Sequence, residues 1–124
     1  MKIKPLSPHL QIYKLGMAYL SITHRVTGVF LFIGLMAFSW AFIVFAFMPG
    51  LFSNLIALIP MWLIKAVCVL WSASFYYHYL NGIRHLMWDL GIGINKSSAT
   101  ISGLLVISLS VALSLISCFF AFSL

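Results

Sequence analysis

Two short clusters in this sequence hold the residue types that bind cofactors and stabilise charge. The first is Ser21-Ile22-Thr23-His24-Arg25-Val26-Thr27-Gly28, and the second runs His78-Tyr79-Leu80-Asn81-Gly82-Ile83-Arg84-His85-Leu86-Met87-Trp88-Asp89-Leu90-Gly91. On a helix, Ser21, His24, Arg25 and Gly28 fall at i, i+3, i+4 and i+7. A hydroxyl, an imidazole and a guanidinium then share one face with a glycine that permits close approach. Such a face suits a polar or anionic group. The same residues also describe an interfacial Arg that anchors a helix end, with Ser21 and His24 as ordinary boundary residues.

In the second cluster His78, Gly82, His85 and Asp89 fall at i, i+4, i+7 and i+11, again on one face. Histidine is the commonest metal ligand, and a porphyrin bound through an imidazole presses against the ligand's helix. Gly82, one turn from His78, leaves room for a macrocycle there. His78 sits about 16 Å along the axis from Asp89, deep enough to be inside a hydrocarbon layer. The alternative is a structural histidine hydrogen-bonded to a neighbouring helix; Gly82 and Arg84 favour haem. His85, nearer the helix end, suits a solvated or propionate-contacting role. With one buried His, a bis-His iron needs its second ligand from another chain. The two propionates of haem require charge-assisted partners, and His24, Arg25 and Arg84 would gather at one edge if the first two helices are antiparallel neighbours.

The elements that must position these clusters follow from composition. The chain has 124 residues, 64% hydrophobic and 6% charged, with a mean hydropathy of +1.14. That lies far outside the range of water-soluble domains. Apolar residues concentrate in three runs, about 21–48 (closed by Pro49-Gly50), 60–86 and 98–122. Each exceeds the ~20 residues needed to cross a bilayer. The expectation is an all-α membrane protein: an N-terminal arm over 1–20, then three transmembrane helices over 21–124. Lys2, Lys4, Lys14 and Arg25 precede or open the first helix, and Arg84 and Lys96 flank the second connection, whereas 49–60 and the C-terminal tail carry no charge. The N-terminus is therefore expected on the cytoplasmic or matrix side and the C-terminus on the opposite side. Lys65 is the exception, expected to snorkel outward.

The net charge of +6 comes from cations at helix ends, without a basic run, so headgroups and topology account for it and nucleic-acid binding is not expected. Cys68 and Cys118 sit in apolar runs as small hydrophobes. Trp40, Trp62 and Trp71 read as interface or packing residues. The only acidic residue is Asp89, at a helix end, so no buried carboxylate is available for proton-coupled antiport. There is no phosphate loop, dinucleotide fingerprint, CxxC pair or nucleophile elbow.

With their order and separation, the two clusters resemble the cytochrome b subunit of succinate dehydrogenase. The match runs through Lys4-Pro5-Leu6-Ser7-Pro8-His9-Leu10, Ile12-Tyr13-Lys14, Ser21-x-x-His24-Arg25-x-Thr27-Gly28 and the His78 to Gly91 segment, read as H-x-x-x-G-I-R-H-L-x-W-D-x-G. One departure is Lys4, where the family commonly has Arg; the charge stays but the planar fork is lost. The resemblance implies a membrane anchor of complex II, with His78 as one axial ligand of haem b and a His of the small anchor subunit as the other. It implies that Ser21 and Arg25 line the ubiquinone site near the iron-sulfur subunit and that His24 and Arg25 approach a haem propionate. Arg84, His85 and Asp89 are implied at the junction with that subunit, and succinate oxidation belongs to a separate flavoprotein. A hydroxyl donor and a fixed cation suit quinone reduction, which develops negative charge on the quinone oxygens. Two alternatives remain: a fumarate reductase anchor that oxidises menaquinol, and a membrane scaffold or assembly protein without redox chemistry. The start at Met1 without an evident transit peptide leads to the expectation of a bacterial inner membrane, with the mitochondrial inner membrane as the other location.

Overall fold

A computed structural model describes the backbone of residues 15–123 and side chains from Tyr19 onward. The expected arm over 1–20, its cations Lys2, Lys4 and Lys14, and the Lys4 to Lys14 motifs therefore lie almost wholly outside the described residues. Four helices follow in order: α1 (Leu15–Phe47), α2 (Pro49–Ala57), α3 (Met61–Asp89) and α4 (Lys96–Ser123). The described residues contain no strand, in keeping with the all-α expectation.

The boundaries have local causes. Pro49 cannot continue α1, so Met48 leaves helical geometry (φ −139°) and Pro49 occupies the start of α2, where its missing N–H costs nothing. The segment expected as a plain connection is thus a short helix, held against α1 by an edge-to-face contact between Phe45 and Phe52 at 5.3 Å. Pro60 immediately precedes α3. At the other end of α3, Gly91 takes φ +78°; its N–H donates to Trp88 O at 2.9 Å and that of Ile92 to Met87 O at 2.9 Å. These two bonds close a Schellman stop, which needs the left-handed residue that Gly supplies. The Asn95 side chain opens α4 by accepting the Ser98 N–H at 2.7 Å.

α3 lies between α1 and α4 and packs on both. The interior is small and polar while the exterior is apolar, an inside-out arrangement natural where lipid rather than water is the solvent. The buried side chains of α4 are Ala99, Val106, Ser110 and Ser114, which with Gly103 form a stripe of small residues facing α3. α3 itself buries Asn81 and Arg84. Phe32, Phe38, Trp40, Trp62, Leu104 and Phe119 are among the large apolar side chains left outside.

By length and composition, α1 over Tyr19–Phe47 and α4 are each able to cross a membrane. α3 reaches that standard only together with α2, from which it bends by 98°. Three independent spans were expected; the middle one is less apolar than its neighbours because it carries the polar residues that face them.

Candidate functional site

The two clusters face each other across the α1–α3 interface. The His24 and His78 rings stack with centroids 3.9 Å apart and planes 3° from parallel, and His85 stands 5.3 Å from His24 at 54°. Three of the four imidazoles in the chain are therefore in one group. Glycines on α1 make this approach feasible. A Cβ on Gly28 would stand 2.9 Å from His78 Cε1, and one on Gly34 would stand 2.1 Å from Trp71 Nε1. His78 and Trp71 are thus knobs seated in two notches of an antiparallel helix.

Hydrogen bonding orients the His78 ring and makes Nδ1 its donor. Its Nδ1 lies 3.0 Å from the His24 carbonyl oxygen and 3.3 Å from Thr27 Oγ1. Thr27 has its own acceptors in Thr23 O and His24 O, both at 2.9 Å. Since a carbonyl only accepts, Nδ1 carries the proton, and in the neutral ring the lone pair is then on Nε2, the usual arrangement of a metal-ligating histidine. Buried His24 Nδ1 has no hydrogen-bond partner among the described residues. An imidazole with a free Nε2 beside an orphaned buried nitrogen fits a haem iron and a propionate. The described residues hold no group of three or more His, Cys, Asp or Glu that could hold a metal ion.

The other expected residues divide. Ser21 is half-buried and Arg25 exposed, on the same stretch of α1 as His24. Gly82 lies under His24 rather than His78: its added Cβ would be 3.9 Å from His24 Cε1, an ordinary contact. The glycine that His78 needs is Gly28. Arg84, expected with His24 and Arg25 at a propionate edge, is 4% exposed and turned toward α4. Its Nε donates to Ser102 Oγ at 3.0 Å, Nη2 to Ala99 O at 2.9 Å and Nη1 to Asn81 Oδ1 at 3.3 Å, with Trp88 stacked 4.0 Å away. Its acceptors on α4 are thus Ser102 and Ala99. Asp89 and Tyr79 are exposed. Lys65, expected to snorkel, lies over the Phe122 ring at 5.3 Å.

Residue reading alone missed Asn81 and Tyr77. Asn81 is fully buried, and its Nδ2 donates to Leu20 O at 3.2 Å; the Tyr77 hydroxyl donates to the same oxygen at 3.2 Å and pairs with Thr23 Oγ1 at 2.6 Å. A buried amide at membrane depth was a signal for such a role, because it must find partners.

Similarity to known proteins identifies the family. Residues 1–117 match the model of the family described as succinate dehydrogenase/fumarate reductase transmembrane subunit. The succinate dehydrogenase cytochrome b556 subunit of Rickettsia bellii is 42% identical over 87% of this chain and 85% of its own length. The b556 subunit of Paracoccus denitrificans is 34% identical over 91% and 88%, and the mitochondrial b560 subunit of Mus musculus is 39% identical over 87% and 66%. The chain belongs to the succinate dehydrogenase/fumarate reductase transmembrane-subunit family and is a membrane-anchor subunit of that enzyme complex.

Proposed function

We propose that this chain is the cytochrome b anchor of a succinate:quinone oxidoreductase, carrying one half of a haem b site and part of a ubiquinone-reduction site. The observation that carries the reading is the His78 Nδ1 bond to His24 O at 3.0 Å, which leaves Nε2 free for iron in a helix interface. A His of a small anchor subunit would supply the second protein ligand to the iron. His24 and Arg25 serve the propionates, while the bonds of Arg84 to α4 assign it first to holding that helix. Gly82 faces the porphyrin. Bound haem b supplies a one-electron store beside the quinone.

For the quinone, Ser21 donates a hydrogen bond to a carbonyl oxygen and Arg25 supplies fixed positive charge as that oxygen gains electron density. Neither makes a hydrogen bond or ion pair to another described residue, so both are available to a ligand. An iron-sulfur subunit docks at this end, and a flavoprotein oxidises succinate. The family description also includes fumarate reductase, so the reverse reaction with menaquinol is the second reading. The complex resides in a bacterial or mitochondrial inner membrane, with the N-terminus on the cytoplasmic or matrix side.

The optical spectrum of the purified complex tests the ligand: the b-type α band is expected to vanish in His78→Ala, and its survival would overturn the assignment. Ser21→Ala and Arg25→Ala are each expected to lower succinate-driven quinone reduction by about tenfold or more. Reduction of an artificial dye by the soluble subunits should persist. Intact quinone reduction in both variants would favour a scaffold without a redox role.

A further inference from the structure

The Leu20 and His24 carbonyl oxygens lie one turn apart on α1, and α3 grips both. Leu20 O accepts from Tyr77 Oη and Asn81 Nδ2, each at 3.2 Å, and His24 O accepts from His78 Nδ1 at 3.0 Å. These carbonyls belong to the residues immediately before Ser21 and Arg25. Asn81 is in turn oriented by Arg84, whose Nη1 donates to Asn81 Oδ1 at 3.3 Å while its other nitrogens bond Ser102 and Ala99. A continuous chain of hydrogen bonds thus runs from α4 through Arg84 and Asn81 to the backbone of α1. A slide of α1 by one residue, about 1.5 Å, would break it, and the hydrocarbon offers no water as a substitute partner.

We infer that Tyr77 and Asn81 are positioning residues of the quinone site: they set the axial register of α1 against α3 and so the placement of Ser21 and Arg25 relative to His78. The inference rests on the quinone reading of Ser21 and Arg25. Neither Tyr77 nor Asn81 need touch the quinone. Asn81 is 0% exposed, and Tyr77 spends its hydroxyl on Thr23 and Leu20.

Two substitutions in the assembled complex separate the bonds from the bulk. Tyr77→Phe removes only the hydroxyl. Asn81→Asp keeps an acceptor for Arg84 but deletes the donor to Leu20. Each is expected to raise the KM for a short-chain ubiquinone about fivefold or more with kcat changed less, because misplacement weakens binding before chemistry. Affinity for the same quinone, read by equilibrium binding, should fall in parallel, while the haem α band keeps its position and amplitude. Ser21→Ala and Arg25→Ala are measured alongside. If they impair quinone reduction but Tyr77→Phe leaves KM and affinity unchanged, the clamp does not position the site and the inference fails alone. If all variants behave as wild type, the quinone reading itself fails. Loss of haem from Tyr77→Phe would also overturn the inference, since it indicates a general packing role. Should Asn81→Asp not assemble, Tyr77→Phe decides.

Discussion

At the scale of single residues, the demand on His78 is steric as much as chemical. Its ring is bonded through Nδ1, stacked under His24 and pressed on Gly28, whose added Cβ would lie 2.9 Å from Cε1 and 3.7 Å from Nε2. A methyl at Gly28 must displace a ring that cannot move without losing its hydrogen bond. Gly28→Ala is therefore expected to lower haem retention on the order of tenfold, measured as the haem-to-protein ratio of the purified complex. Gly82→Ala offers a contrast. Within the chain its methyl meets only His24 Cε1 at 3.9 Å, so a haem defect there reports a porphyrin pressing on that face. Both glycines were legible in the sequence as close-approach positions. Which one abuts His78 was not, because each helix face was read separately and the pairing of faces depends on register.

At the scale of elements, glycine notches and buried polar groups replace the hydrophobic core of a water-soluble bundle. Gly34 receives Trp71, with an added Cβ 2.1 Å from Nε1, whereas Gly103 meets Leu20 Cδ1 at 2.7 Å. The first neighbour is a rigid indole and the second the end of a flexible side chain. Gly34→Ala should therefore destabilise the α1–α3 pair by about 1–3 kcal/mol, and Gly103→Ala by distinctly less. Thermal unfolding of the detergent-solubilised complex compares the two, and equal effects would refute the notch assignment. Along α3 and α4, Tyr76 Oη and Ser117 Oγ meet at 2.6 Å, so polar groups join that pair about two turns of α3 away from Arg84 as well. These partners explain why α3 is the least lipid-like of the long helices. Tyr76, Tyr77, Asn81 and Arg84 turn toward neighbours, and a helix bound on two sides does not need an apolar surface all round.

For the whole molecule, antiparallel α1 and α3 put the Ser21 and His85 ends together and the 48–60 segment at the opposite end. The topology proposed from the charge bias puts the Lys96 end on the cytoplasmic or matrix side. Labelling with a membrane-impermeant maleimide tests this. In a background lacking Cys68 and Cys118, Asn54→Cys is expected to react from the outer face of intact spheroplasts, and Asn95→Cys only after permeabilisation. The reverse pattern would invert the proposed topology and remove Ser21 and Arg25 from the side of an iron-sulfur subunit. The chain's apolar exterior, with Phe32, Phe38 and Leu104 each more than 60% exposed, must be covered by lipid and by the other subunits.

The sequence by itself determined the class and the long helices, since apolar run length, proline and glycine punctuation and helical spacing are local properties of the chain. It also marked His24, Arg25, Ser21 and His78 through residue types too costly to bury idly in lipid. Only the tertiary structure decided how those faces meet. It seated His78 on Gly28, turned Arg84 away from the histidines to the acceptors of α4, and converged Tyr77 and Asn81 on the Leu20 carbonyl. The reason is that a buried donor takes the nearest acceptor across an interface, and that acceptor is fixed by packing between segments from 15 to 61 residues apart in the chain.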